Sequence, residues 1–328
     1  MKTIAPGRVN LIGDHTDYTG GLVFPMAIDR WTVFEGDITS HEFSLTSADQ
    51  DSTVQFPLGS PFDSAMQPSW GRYVAAVASL VSPPHGITGH LTTTIPVGAG
   101  LSSSAALELA IAYALTTSIE PTQLALLMQK AEQLATGVPT GIMDQLSIAS
   151  AREGMGTMID CRSLEIQHVP IPSDVDIVVQ FIAHRTLEGS EYSDRVRECR
   201  DAESIIGPLR DANVASVSSI EDDIVMRRAR HVVTENQRVI DFTKALTTGD
   251  YAGAGELMQE SHRSLSRDFS VSTQQMDHVV SSLCAIPGVY GSRMTGGGFG
   301  GCVVTLCQPG TEIEGWKVKP VSGARRLD

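Results

Sequence analysis

Two stretches of the chain hold residue types whose spacing can do chemistry. In PVGAGLSSSAALE, residues 96–108, small residues run straight into a helix with three serines at its first turn. Such a turn offers N–H groups without intrahelical partners and the positive end of the helix dipole. Gly98 and Gly100 let the backbone come close to a ligand. Together these make an anion site suited to phosphates, because a cap needs one serine rather than three. It is not a Walker loop: GxxxxGK[ST] is absent and no lysine lies nearby. In PGRVNLIGDHTDYTGG, residues 6–21, an arginine, two acids and a histidine fall within ten residues, with glycines on both sides. The plain alternative there is a glycine-rich turn between strands with its charges in water. A third cluster, SRMTGGGFGGC at 292–302, places five glycines in six positions. A simple hairpin does not need them; backbone that must approach another loop or a ligand does.

The elements that must position these clusters are mixed. Residues 1–97 read as β-rich: GGLVFPMAI, WTVFEGDI, HEFSLTSA and GHLTTTIPV are strand-like runs between turn residues. The helix WGRYVAAVASLV interrupts them. Residues 102–117 are alanine-rich and apolar on nearly every face, which predicts a buried helix. A further helix starts with Pro121 and stops near Gly137. Two strands follow, GTMIDCRS and VDIVVQFIAH. From about 190 to 285 the chain is mostly helical, with a long charged helix around 221–247, and β signals return in YGSRMTG, GCVVTLC and GWKVKPV. This mixture, without strict βαβ alternation, predicts an α+β fold rather than a Rossmann sheet. It divides into a β-rich N-terminal lobe with buried helices, residues 1–180, and a mostly helical C-terminal lobe with a small sheet, residues 181–328. The terminal strands could cross between the two.

Composition narrows the function classes. The chain has 328 residues and a formal net charge of −14. That balance argues against nucleic acid or an anionic membrane as a partner, but a small anionic ligand feels local groups. No run of ~18 apolar residues marks a membrane span, and MKTIAPGRVN lacks the apolar core of a signal peptide. The five cysteines form no CxxC pair. Reduced thiols in a cytoplasm fit better than disulfides or a zinc site. A cytoplasmic monomer is expected.

Taken together, the three clusters are similar to those of the GHMP kinases, and within that group the chain resembles the galactokinase family. GVPTGIMDQ (137–145) and GSEYSDRVREC (189–199) extend the resemblance, and the five motifs occur in the family's order. The resemblance implies a two-lobed GHMP kinase fold and ATP-dependent phosphorylation of the anomeric hydroxyl of α-D-galactose. It implies that Asp144 is the catalytic carboxylate, with Arg8 beside it and the transferred phosphoryl group. It implies that Gly98, Ala99, Gly100, Leu101, Ser102, Ser103 and Ser104 bind the ATP phosphates, and that Ser104 and Glu132 hold Mg²⁺. Asp14, His15, Thr16, Asp17 and Tyr192 would bind the sugar, whose hydroxyls suit carboxylate acceptors. Glu132 and Tyr192 carry no such signal without the family.

Some positions depart from the family pattern. Asp14 stands where glutamate is usual, Thr140 where cysteine is more common, and Val196 breaks a run that often reads Arg-Arg. The shorter Asp14 leaves a gap for water, or for a different sugar such as L-arabinose or an amino sugar. A second alternative is a sensor that binds sugar and ATP and transfers nothing. The intact SSSAA run, with Arg8 and Asp144 present, argues against it. Members acting on mevalonate or homoserine lack the DHTD-type cluster.

Overall fold

A computed structural model describes residues 1–116, 118–184 and 190–327. In chain order the strands are β1 (Lys2–Asn10), β2 (Leu22–Val23), β3 (Pro25–Thr39), β4 (Glu42–Ser47), β5 (Gln50–Pro57), β6 (Gly86–Thr93), β7 (Met155–Asp160), β8 (Glu165–Pro170), β9 (Asp176–Ala183), β10 (Val289–Thr295), β11 (Gly301–Cys307), β12 (Trp316–Val318) and β13 (Arg325–Arg326). The helices are α1 (Gly71–Val81), α2 (Ser103–Leu115), α3 (Pro121–Thr136), α4 (Met143–Ser150), α5 (Ser190–Ile206), α6 (Val214–Val217), α7 (Asp223–Thr248), α8 (Tyr251–Arg267) and α9 (Gln274–Cys284).

Three sheets result, in the orders β13-β1-β3-β6-β4-β5, β10-β11-β9-β12 and β2-β7-β8. All pairings are antiparallel except β4 with β6. The fold is therefore α+β, as the sequence predicts. The division at 180 falls inside β9, which pairs with β11 and β12 of the later half. Strand β13, from the chain's other end, pairs with β1. One apolar core runs through both halves, from Val9 and Phe24 to Phe242 and Val304.

The buried-helix reading of 102–117 holds for α2. Alanines are spread along it, and α1, α3, α4 and β1 pack around it. Thr117, the last residue of that stretch, lies outside the described residues, as does Gly189 of the GSEYSDRVREC motif. The runs at 20–28 and 31–38 are one long strand, β3, preceded by the short β2. The turn residues between them are accommodated by a register shift against β1 at Pro6/Gly7. The five cysteines are all free.

Candidate active site

β1 delivers Arg8 to the edge of the core, where it is 3% exposed. Its guanidinium donates from Nε and Nη2 to Asp144 Oδ1 (2.9 and 2.6 Å) and from Nη1 to the Gly100 carbonyl (2.6 Å). One side chain thus ties the first cluster to the second and to GIMDQ. Asp144 sits in the first turn of α4, where the helix dipole favours a carboxylate. Its Oδ2 accepts from Ser102 Oγ at 2.6 Å. Ser102 has a left-handed backbone (φ 61°) and makes no side-chain cap on α2. The plain cap reading of that serine is thereby excluded.

A cavity of about 1000 Å³ opens over this pair. Its walls include Gly98, Gly100 and Ser102–Ser104 from the glycine-serine cluster, together with His15, Asp17 and Tyr192. Gly296–Phe299 close a further side. Gly98 and Gly100 both have positive φ (75° and 74°), a conformation that glycine adopts without strain. Ala99 and Leu101 alternate with them and turn inward, so both side chains lie in the core and not on the cavity. Only their backbone can serve a phosphate.

The sugar-loop residues separate in the same way. Asp17 lies over Gly141, where an added Cβ would come within 1.9 Å of its carboxylate. Burial first, then the Asp144 charge, pushes the Asp17 carboxyl up to about 7. His15 bonds the Tyr18 hydroxyl through Nδ1 (3.0 Å) and packs against Tyr192 and Phe269. Thr16 does not reach the cavity. Its hydroxyl bonds the Gly13 and Leu22 carbonyls (2.9 and 2.7 Å) and closes the loop. Asp14 touches the cavity wall, yet its oxygens are engaged elsewhere. Oδ2 lies 2.6 Å from Arg293 Nη2 in a fully buried ion pair, and Oδ1 accepts from the Gly296 N–H at 3.0 Å. The third cluster thus engages both carboxylate oxygens of Asp14.

Ser104 and Glu132 meet as expected, with Ser104 Oγ donating to Glu132 Oε1 at 2.7 Å. Burial, then the Asp144 charge, raises the Glu132 carboxyl. Among the described residues no group of three or more His, Cys, Asp or Glu side chains is arranged to hold a metal. Two hard oxygen donors on the cavity wall nevertheless fit Mg²⁺, which takes few protein ligands beside substrate phosphates.

The support that α7 supplies is not among the sequence expectations. Glu235 Oε1 accepts from the Gly13 N–H (3.0 Å), Asn236 Oδ1 from the Leu22 N–H (2.8 Å), and His231 Nε2 meets the Asp14 carbonyl (3.1 Å). These three lie on one buried face of a helix that reads simply as charged. The signal available was the i,i+4 spacing of His231 and Glu235. Arg72, Tyr73, Val97, Thr136 and Val138, which extend the cavity beyond the serines, were also missed.

With this geometry the comparisons agree. Residues 72–152 match the GHMP kinases N terminal domain and residues 242–315 the GHMP kinases C terminal. Residues 3–36 match the galactokinase galactose-binding signature. A galactokinase of Homo sapiens is 40% identical over 94% of this chain and 84% of its own length. One from Chloroflexus aggregans is 41% identical over 93% and 83%. The crystal structure of Lactococcus lactis galactokinase complexed with galactose superposes with a TM-score of 0.90 at 29% identity, covering 99% of this chain and 95% of that one. The chain belongs to the galactokinase family of the GHMP kinases. Methanococcus jannaschii mevalonate kinase shares the fold (TM-score 0.71, 18% identity, 98% of each chain).

Proposed function

We propose that this protein transfers the γ-phosphoryl group of ATP to the anomeric hydroxyl of α-D-galactose, giving galactose 1-phosphate and ADP. The observation that carries the reading is Asp144, clamped by Arg8 and Ser102 between the sugar loop and the serine loop.

Phosphoryl transfer passes through a loose transition state that asks mainly for positioning and charge neutralisation. Asp144 accepts the anomeric O–H and orients its oxygen; the proton leaves to Asp144. Arg8 holds that carboxylate in place and offsets negative charge on the transferred group. The backbone of Gly98–Ser104 and the N-terminus of α2 receive the phosphates. Asp17, His15 and Tyr192 receive the other sugar hydroxyls, and Asp14 holds the loop that presents them. Ser104 and Glu132 would hold Mg²⁺, which when bound neutralises phosphate charge.

The test is a panel of sugars with ATP and Mg²⁺, read by ADP release. Galactose should support turnover, and Asp144→Asn should lower kcat by about 10²–10⁴-fold while galactose still binds. A panel in which no sugar releases ADP, or an Asn variant with near-parental kcat, would sink the reading.

A further inference from the structure

Behind the cavity wall lies a polar cluster that the reaction as written does not use. Glu108 and Gln145 are completely buried, and neither lines the cavity. Glu108 stands one turn beyond Ser104 on α2, the i,i+4 spacing that puts both on one face. Gln145 follows Asp144 in α4, and successive helical side chains point about 100° apart. Asp144 therefore faces the cavity while Gln145 faces inward. The Gln145 amide nitrogen donates to Glu132 Oε2 at 2.5 Å and to Glu108 Oε2 at 3.3 Å.

That bonding is sparse for so deep a site: Glu108 Oε1 and Gln145 Oε1 have no hydrogen-bond partner. A buried carboxyl so poorly satisfied is costly. An apolar side chain of similar volume would fill the place without that penalty. What the carboxyl supplies is direction. A primary amide has two N–H donors at fixed angles. With one aimed at Glu108, the other is aimed at Glu132 Oε2. Glu132 then presents Oε1 to Ser104.

We propose that Glu108 is a positioning residue, which orients the Gln145 amide and through it fixes the Glu132 carboxylate toward the cation that accompanies the nucleotide. The inference rests on the assignment of Ser104 and Glu132 as the cation's donors. Partners one step removed from a metal tune its affinity by about 10–100-fold.

The test measures Mn²⁺ binding to the ADP-saturated protein by loss of the free-ion EPR signal, with no sugar and no turnover. Glu108→Leu should weaken Mn²⁺ binding by about 10–100-fold without lowering Tm. Glu108→Gln, which keeps an acceptor for the amide, should recover most of that loss. Under turnover, Glu108→Leu should raise the Mg²⁺ concentration needed for half-maximal rate far more than it changes kcat at saturating Mg²⁺. In a Gln145→Leu background, Glu108→Leu should add nothing further, as expected for two members of one relay. Unchanged Mn²⁺ affinity in a folded Glu108→Leu protein, or additive losses in the double variant, would overturn the inference. If Glu132→Gln also leaves Mn²⁺ binding unchanged, it is the assignment of the cation donors that fails.

Discussion

Asp17 shows how much a single residue's surroundings change what it can do. In water it would be an ordinary carboxylate, but burial and the neighbouring Asp144 push its carboxyl up to about 7. A sugar hydroxyl that donates to Asp17 favours the ionised form. Galactose binding should therefore weaken by up to about tenfold per pH unit below 7, and Asp17→Asn should flatten that slope; calorimetric titration across this range checks both. In the empty protein the linkage runs the other way. A carboxyl raised in the folded state favours folding at low pH, and that contribution is lost as pH rises from about 4 through 7. Asp17→Asn should accordingly be more stable than the parent at about pH 8 and gain little at about pH 4, measured by urea denaturation. A variant no more stable at the higher pH would show that the Asp17 carboxylate is not strained in the free site.

At the scale of elements, α7 does for the sugar loop what no residue inside the loop can do. The eleven residues between β1 and β2, three of them glycines, have many conformations to lose, and Glu235, Asn236 and His231 pin the segment at Gly13, Leu22 and Asp14. Burial works to raise the Glu235 carboxyl, but Arg238, His231 and Arg293 outweigh it and hold it down to about 2. Removing one partner of a buried charge pair typically costs about 3–5 kcal/mol. Glu235→Gln should destabilise the protein by that order near neutral pH and raise KM for galactose more than KM for ATP. A depressed carboxyl contributes stability above its unfolded value, and that contribution is lost as pH falls toward about 2. The stability gap between parent and variant should therefore narrow below about pH 4.5. A gap that is constant from neutral to acid pH would mean Glu235 acts through packing alone.

Across the whole molecule, the two halves are interlocked rather than juxtaposed. Arg293 from β10 neutralises Asp14 of the sugar loop, and β13 completes the first sheet beside β1, the strand that carries Arg8. The terminal segment also bonds across to α4 and its end: Gly323 N–H to the Ala151 carbonyl and Ala324 N–H to the Ile148 carbonyl, with Leu327 N–H to Lys2. Removing residues 322–328 breaks these three backbone bonds, each worth about 1 kcal/mol net. With the β13–β1 pairing removed as well, the truncated protein should lose at least about 3 kcal/mol of stability and some kcat, because β1 and α4 hold Arg8 and Asp144. A truncation with unchanged denaturation midpoint and kcat would show that the crossing strand is dispensable. No helix among the described residues is long and apolar enough to span a membrane, in line with the composition.

The sequence by itself determined the chemistry. Glycines at 98 and 100 before three serines predict an anion site, because only backbone and a helix start are needed. The resemblance assigns roles to Arg8, Asp144, Ser104 and Glu132, and the structure pairs Arg8 with Asp144 and Ser104 with Glu132. Alanine-rich 102–117 predicts a buried helix, since it is apolar on nearly every face. The tertiary structure decided which neighbours of those residues matter. Ala99, Leu101 and Thr16 sit inside motifs, yet the first two are buried in the core and the third closes a loop through its hydroxyl. Asp14 reads as a sugar ligand in the sequence, but its partner Arg293 lies 279 positions further along, and no local pattern announces a pair so far apart. His231 and Glu235 lie in a stretch that reads only as a long charged helix, because a helix's periodicity fixes which side chains share a face and only packing fixes what that face meets.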